Sequence, residues 1–447
     1  MDTMSTTILI IFLVGYLFIA FENLTKVNKS GIALLMSVVC WAVYMMTAES
    51  NGSSVFASHV ADTCETILFL MGAMTIVEVV DYNGGFSFVT NRLKTDNAKA
   101  LLWKTVCLTF VLSALLDNMT TCIVIIMVLK KLVADKHMRM LYAGMVVIAA
   151  NAGGAFSPIG DVTTIMLWIK GCVSATGIIM GLLIPSIVCV VVPTMIVSTM
   201  IDGNMKTTDG SCSADDSTSN TDYSLSHSCR VIIFLIGVVG LISVPGFHTL
   251  TGLPPFVGVM GVLAVLWIST EIMIGSNKRL MHDDSKVRVA SILHKIDIST
   301  ILFFLGILLT VGALQETGLL NEMGIWLDHT FGNVYIVNAM IGIVSSVVDN
   351  VPLVAGAMGM YPIESADAVG ALQAYAQDGT FWQLLAFCAG TGGSILIIGS
   401  AAGVIAMGLE NISFGWYLKR FSWIALLGYF AGIATYWLMN ECLCYSI

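Results

Sequence analysis

Charge is what this chain has least of. Only 11% of its 447 residues are Asp, Glu, Lys or Arg and 57% are hydrophobic, whereas soluble domains are roughly one quarter charged. Such a chain cannot cover a water-facing surface, so a soluble protein is excluded. The alternating ten-residue strands of a membrane barrel are missing as well; the apolar residues come in blocks of roughly 20, the length a helix needs to cross a bilayer. Histidine is sparse. The seven, at 59, 137, 227, 248, 282, 294 and 329, fall in segments read as loops, which leaves no His metal cluster and no His proton relay at membrane depth. The eleven cysteines are scattered, and only Cys442 and Cys444 are close together, so neither a disulfide framework nor a metal knuckle is indicated. Carboxylates remain as the titratable groups inside the apolar blocks. No cofactor and no nucleic-acid partner are expected.

What is present reads as an all-α polytopic membrane protein. Single crossings fit at about 7–25, 31–48, 62–82, 139–170, 177–200, 230–245, 254–275, 297–315, 380–410 and 421–440, ten in all. The stretch Thr7 to Phe21 has no preceding base and no small-residue cleavage site, so it reads as a retained first crossing and not as a signal peptide. Two apolar stretches are left over, 100–133 and 333–361. Each carries an Asp-Asn pair near its middle and fits a re-entrant hairpin. Lys and Arg are retained on the cytoplasmic face. With the N-terminus outside, only Lys170 of the 20 Lys and Arg falls outside. This predicts a multi-pass protein of the cell inner (plasma) membrane with both termini extracytoplasmic, one hairpin entering from each face.

The Ser/Thr/Asp-rich segment 201–229 has no periodicity and reads as a cytoplasmic linker between a first half, 1–200, and a second half, 230–447. Corresponding features recur at nearly constant spacing: Gly72 with Gly306, Gly84 with Gly318, Asp117-Asn118 with Asp349-Asn350, and Gly153-Gly154 with Gly392-Gly393. That argues for duplication. An odd number of crossings separates the third helix from its counterpart, the eighth, so the copies are expected to be inverted, a recurring design of secondary transporters. In each half a long apolar segment is interrupted, at Asn151–Asp161 by Gly153-Gly154, Pro158 and Gly160, and at Gly390–Ser400 by Gly390, Gly392-Gly393 and Gly399.

Non-helical backbone survives at membrane depth only where protein or a water-filled cavity receives it. Unwound carbonyls, amides, hydroxyls and a carboxylate together suit a small hard cation. Asp117, Asn118, Asp161, Asp349 and Asn350 could each simply cap a new half-helix, yet Ser or Thr would cap as well, and a carboxylate near the bilayer centre is costly enough to signal function. Asn151, Thr163, Thr164 and Thr120 offer further oxygens. Ser113 and Ser345 lie one turn before Asp117 and Asp349 and could be ligands or packing residues, and Ser394 lies in the second interruption. Glu78, near the end of the third helix, is a candidate second proton or cation site.

The pattern Ser113-x-x-x-Asp117-Asn118, Asn151 with Asp161-x-Thr163-Thr164, then Ser345-x-x-x-Asp349-Asn350 resembles the sodium/proton antiporters of the NhaD type, in the ion transporter superfamily. The resemblance covers nearly the whole chain. It implies a homodimer with a static scaffold and a mobile transport domain, the elevator mode, exchanging Na⁺ or Li⁺ for H⁺. It places Na⁺ at Asp117, Asn118, Asn151, Asp161 and Asn350. Other members of the superfamily carry dicarboxylates, typically with Ser-Asn-Thr at the hairpin tips; here the tips are Asp-Asn-Met-Thr and Asp-Asn-Val-Pro. A carrier of an organic anion or arsenite on the same fold is the alternative. An intramembrane aspartyl protease fits poorly, because position 158 is Pro where a Gly-x-Gly-Asp motif needs Gly, and hairpins from opposite faces favour alternating access over a channel. No enzymatic activity is expected.

Overall fold

The computed structural model describes residues 3–20, 27–47, 52–84, 93, 95, 97–201, 227–275, 292–347, 349–365 and 367–443. The linker expected at 201–229 lies almost wholly outside them, as do several of the bases used for orientation, among them Lys26, Arg92, Lys94, Lys206, Lys278 and Lys286.

The described chain is helical nearly throughout. The first half contributes α1 (Thr3–Ala20), α2 (Lys29–Thr47), α3 (Gly52–Tyr82), α4 (Ala98–Leu115), α5 (Asn118–Leu132), α6 (Lys136–Ala155), α7 (Val162–Ile169) and α8 (Ala175–Met200). The second contributes α9 (His227–Thr251), α10 (Pro255–Gly275), α11 (Ile298–Glu316), α12 (Leu319–Phe331), α13 (Val334–Ser345), α14 (Asn350–Met360), α15 (Thr380–Gly392), α16 (Ala401–Glu410), α17 (Phe414–Arg420) and α18 (Ser422–Leu438). Eight helices among the described residues are long and apolar enough to cross a membrane. The protein is a multi-pass membrane protein.

Both Asp-Asn stretches fold as helix–turn–helix units, α4–α5 and α13–α14, with the turn at the Asp. Both long interrupted segments are broken in two, α6/α7 and α15/α16. The first break falls later than its glycine pair suggests. Gly153 and Gly154 stay helical, and the chain leaves the helix only at Phe156, two residues before Pro158. A helical Gly costs about 1 kcal/mol and a Pro about 3, so the proline decides the first break. The second has no proline and opens at Gly393.

What the glycines contribute is close approach. A Cβ on Gly153 would run into the Phe110 carbonyl of α4, and one on Gly392 into the Gly342 carbonyl of α13. Each broken helix thus lies directly on the first arm of its own helix–turn–helix unit. Serines seal the same contacts: Ser113 Oγ donates to the Ala150 carbonyl at 2.5 Å and Ser345 Oγ to the Ala389 carbonyl at 2.9 Å. Carbonyls near the breaks also find donors, Ala114 from Ser157 Oγ and Ser394 from Tyr417 Oη. That meets the demand that backbone groups in hydrocarbon be paired.

The two broken helices form the centre. Every residue of α6 from Leu141 to Ala155 is buried, and so is every residue of α15 from Phe381 to Gly392. Around them pack α4, α5, α13, α16, α8 and α18, while α1, α2, α3, α9, α10 and α11 pack mainly on one another. Three features depart from the sequence reading. Helix α3 starts at Gly52, ten residues before the expected span, and at 31 residues is about 46 Å long. His59 therefore lies inside a helix, and His248 and His329 lie in the last turns of α9 and α12, not in loops. Helix α12 occupies a segment left unassigned, because Asn321, Glu322, Asp328 and His329 make it too polar to register as a crossing.

Candidate functional site

The turns and breaks converge because each new half-helix starts with a polar cap. Asp117 begins α5 and accepts from the Thr120 amide at 2.7 Å; Asp161 begins α7 and accepts from the Thr163 amide at 2.9 Å. Ser400 begins α16 and accepts from the Gly403 amide. Asp349 sits at the same place before α14, but its contact to the Val351 amide is 3.5 Å, at the edge of a hydrogen bond. Its Oδ2 is instead 3.1 Å from the Lys29 ammonium. The capping role is thus real for Asp117 and Asp161. Asn118 and Asn350 do not cap; they are the first residues inside α5 and α14 and aim their amides elsewhere.

They aim at Asp161. Asn118 Nδ2 donates to Asp161 Oδ2 at 2.8 Å and lies 3.2 Å from Asn151 Oδ1. Asn350 Nδ2, from the other half of the chain, is 3.5 Å from both carboxylate oxygens. Asn151, fully buried on α6, donates in turn to Ser394 Oγ and Ser400 Oγ, each at 2.9 Å. One carboxylate, three amides and two hydroxyls drawn from both halves thus form one hydrogen-bonded network in the core.

The remaining candidates divide. Thr163 Oγ1 bonds Asp161 Oδ1 at 2.9 Å, and Thr120 Oγ1 bonds Asp117 Oδ2 at 2.7 Å, so both hydroxyls are on the carboxylates. Thr164 turns back to the Asp161 carbonyl. Ser113 and Ser345 serve the helix contacts described above. Glu78 is half-buried on α3, and the cavity that holds the aspartates is lined by Leu70, Ala73, Met74 and Val77 of that helix.

This cavity, about 130 Å³, has Asp117, Asn118, Thr120, Asp161, Asp349 and Asn350 in its wall, and Lys29 is its one basic lining residue among the described residues. A helix N-terminus carries roughly half a positive charge, which by itself favours an anion. Asp117 and Asp161 each more than offset the end they cap. Lys29 and Ser400 were not picked out from the sequence. Ser400 occupies the position matching Asp161 in the second half, and that correspondence was its only sign; Lys29 had none, being remote in sequence from the Asp349 it meets.

A family model described as a citrate transporter matches residues 16–377. Sodium/proton antiporter 1 of Arabidopsis thaliana is 44% identical over 433 residues, covering 96% of this chain and 71% of the relative. Sodium/proton antiporter 2 of the same plant is 40% identical, covering 96% of this chain and 98% of the relative. The chain belongs to the NhaD-type sodium/proton antiporters of the ion transporter superfamily. The Na⁺/H⁺ antiporter NhaD of Vibrio cholerae is 29% identical to it across 98% of this chain and 93% of the relative. This is a family of membrane transporters and not of enzymes.

Proposed function

We propose that this protein exchanges Na⁺ or Li⁺ for H⁺ at the Asp117–Asp161 cavity. The observation that carries the reading is the meeting of Asn118 and Asn350, one from each half, on the single carboxylate of Asp161. An Asn amide has two faces, donors on nitrogen and an acceptor on oxygen. Towards an ionised or protonated carboxylate the nitrogen side serves. When a cation sits between amide and carboxylate, a half-turn of the amide presents oxygen instead. Asn118, Asn151 and Asn350 with Asp117, Asp161 and the hydroxyls of Thr120, Thr163 and Ser394 supply the several oxygens that a small alkali cation requires.

Coupling follows from competition. A proton and a cation cannot both hold the same carboxylate oxygen. Either ligand lowers the site's charge. An empty, ionised site is costly to carry through hydrocarbon, so the domain moves loaded. The matched contacts of the two halves, Gly153 on Phe110 and Gly392 on Gly342, Ser113 on Ala150 and Ser345 on Ala389, support inverted repeats. On this reading α4–α5 and α13–α14 are re-entrant hairpins that travel with the broken helices in an elevator motion, within ten crossings, inside a homodimer whose termini lie outside.

The family model's description names the rival, a carrier of an organic anion such as citrate. The wall of the cavity speaks against it: among the described residues Asp117, Asp161 and Asp349 face it against one base, Lys29. Counterflow in proteoliposomes separates the two. Labelled Na⁺ should exchange with internal Na⁺ while labelled citrate and succinate stay out. Uptake of either organic anion without Na⁺ counterflow would replace this reading.

A further inference from the structure

Lys29 brings an ammonium group to the site. It is the first residue of α2, and the residues on either side pin its backbone: Asn28 Nδ2 donates to Ser299 Oγ at 3.1 Å, and Ser30 Oγ to the Ser299 carbonyl at 2.6 Å. The ammonium is therefore delivered from a corner fixed between α2 and α11, and it lies 4.4 Å from the ring centroid of Phe303 on α11. From there it reaches Asp349 Oδ2 at 3.1 Å, in the turn between α13 and α14. Both side chains keep about one third of their exposure, 32% and 29%. The pair stands where two cavities adjoin. Lys29, Asp349, Met119, Thr300 and Ala401 line both the 130 Å³ cavity of Asp117 and Asp161 and a second, of about 290 Å³, bounded also by Tyr16 and Ser400.

We propose that Lys29 is the built-in counter-ion of Asp349. It occupies the carboxylate that a second cation would otherwise take, and it confines cation–proton exchange to Asp117 and Asp161. Lys29 is thus a specificity-determining residue that sets how strongly, and how many, cations the cavity holds. The inference rests on the cation/proton reading above. Its physical content is balance: the two charges cancel locally, so removing one partner changes the field on the neighbouring Asp161 and removing both restores it.

The test is a double-variant cycle in proteoliposomes, reading the apparent KM for Na⁺ separately from turnover. Asp349→Asn removes the carboxylate that faces the ammonium and should raise the Na⁺ KM at least tenfold. Lys29→Gln opens Asp349 to cations; KM should fall and turnover slow, because the extra cation holds the site. The double variant should return KM to within about threefold of the wild type, and Lys29→Arg should keep the wild-type KM. The Na⁺-dependent rise in Tm of purified protein repeats the comparison without relying on transport. A double variant as impaired in KM and Tm shift as Asp349→Asn would overturn the proposal by making Asp349 a cation ligand. A Lys29→Gln KM equal to the wild type's would overturn it too. Wild-type protein with neither Na⁺ exchange nor a Na⁺-dependent Tm shift would instead remove the underlying functional reading, and this inference with it.

Discussion

Asn118 Nδ2 lies 2.8 Å from Asp161 Oδ2, joining the first residue of α5 to the cap of α7 in the wall of the cavity. A hydrogen bond to a charged group contributes about 1.5–3 kcal/mol, and the same amide turned over offers a cation an oxygen. Asn118→Ala should therefore raise the apparent KM for Na⁺ at least tenfold and also lower the Tm of the protein. Initial rates of Na⁺-driven proton release from proteoliposomes, measured over a range of NaCl, check this. An unchanged KM would remove Asn118 from the site.

The pH dependence has a definite sign. If protons and Na⁺ share Asp117 and Asp161, lowering the pH adds competitor on the binding side. The apparent KM for Na⁺ should rise by about tenfold per pH unit where one proton leaves per bound cation, and the maximal rate at saturating Na⁺ should change much less. KM measured at several pH values checks it, and a KM independent of pH would mean that the two ligands bind separate groups.

The close approach of each broken helix to its hairpin is a stability element. Gly153→Ala and Gly392→Ala each place a methyl against a backbone carbonyl that cannot swing aside, in segments buried on all sides. Overpacking of this kind costs about 1–3 kcal/mol. Both should lower the Tm of the detergent-purified protein, whereas Gly356→Ala, where a Cβ meets nothing within 4 Å, should leave it in place.

Much of this was legible in the sequence, for physical reasons that differ between elements. Asp117-Asn118 and Asp349-Asn350 stood out because polar pairs in apolar stretches are expensive, and Pro158 with Asp161 marked a break because proline cannot continue a helix. Those signals are local. The attachment of Asn151 to Ser394 and Ser400 and the pairing of Lys29 with Asp349 join the two halves of the chain, and no spacing rule reaches that far. Lys29 was read as one more cytoplasmic base. His59 reads as a loop residue in the sequence because the expected third crossing begins only at residue 62. It is helical, and His59 Nε2 lies 2.9 Å from Glu316 Oε1 at the end of α11.

Arg139, in the first turn of α6, ties that helix to the end of α16. Its Nε is 3.1 Å from Glu410 Oε2, and its Nη1 donates to the Val133 and Ala134 carbonyls that end α5. Glu410 is only 2% exposed. Removing one partner of a buried pair leaves an uncompensated charge, at about 3–5 kcal/mol. Arg139→Ala should lower Tm sharply at neutral pH. Adding Glu410→Gln should recover part of that loss, and a double variant no better than Arg139→Ala would show that the carbonyl contacts account for all of it.

The most direct test of the account is dequenching of a proton-sensing dye in vesicles carrying the purified protein, after addition of NaCl, LiCl or KCl between pH 6 and 9. Asp161→Asn is the decisive comparison, because Asn still caps a helix and so keeps the fold while removing the charge. The account predicts dequenching with Na⁺ or Li⁺ for the wild type and none for Asp161→Asn. Full exchange by Asp161→Asn would contradict it.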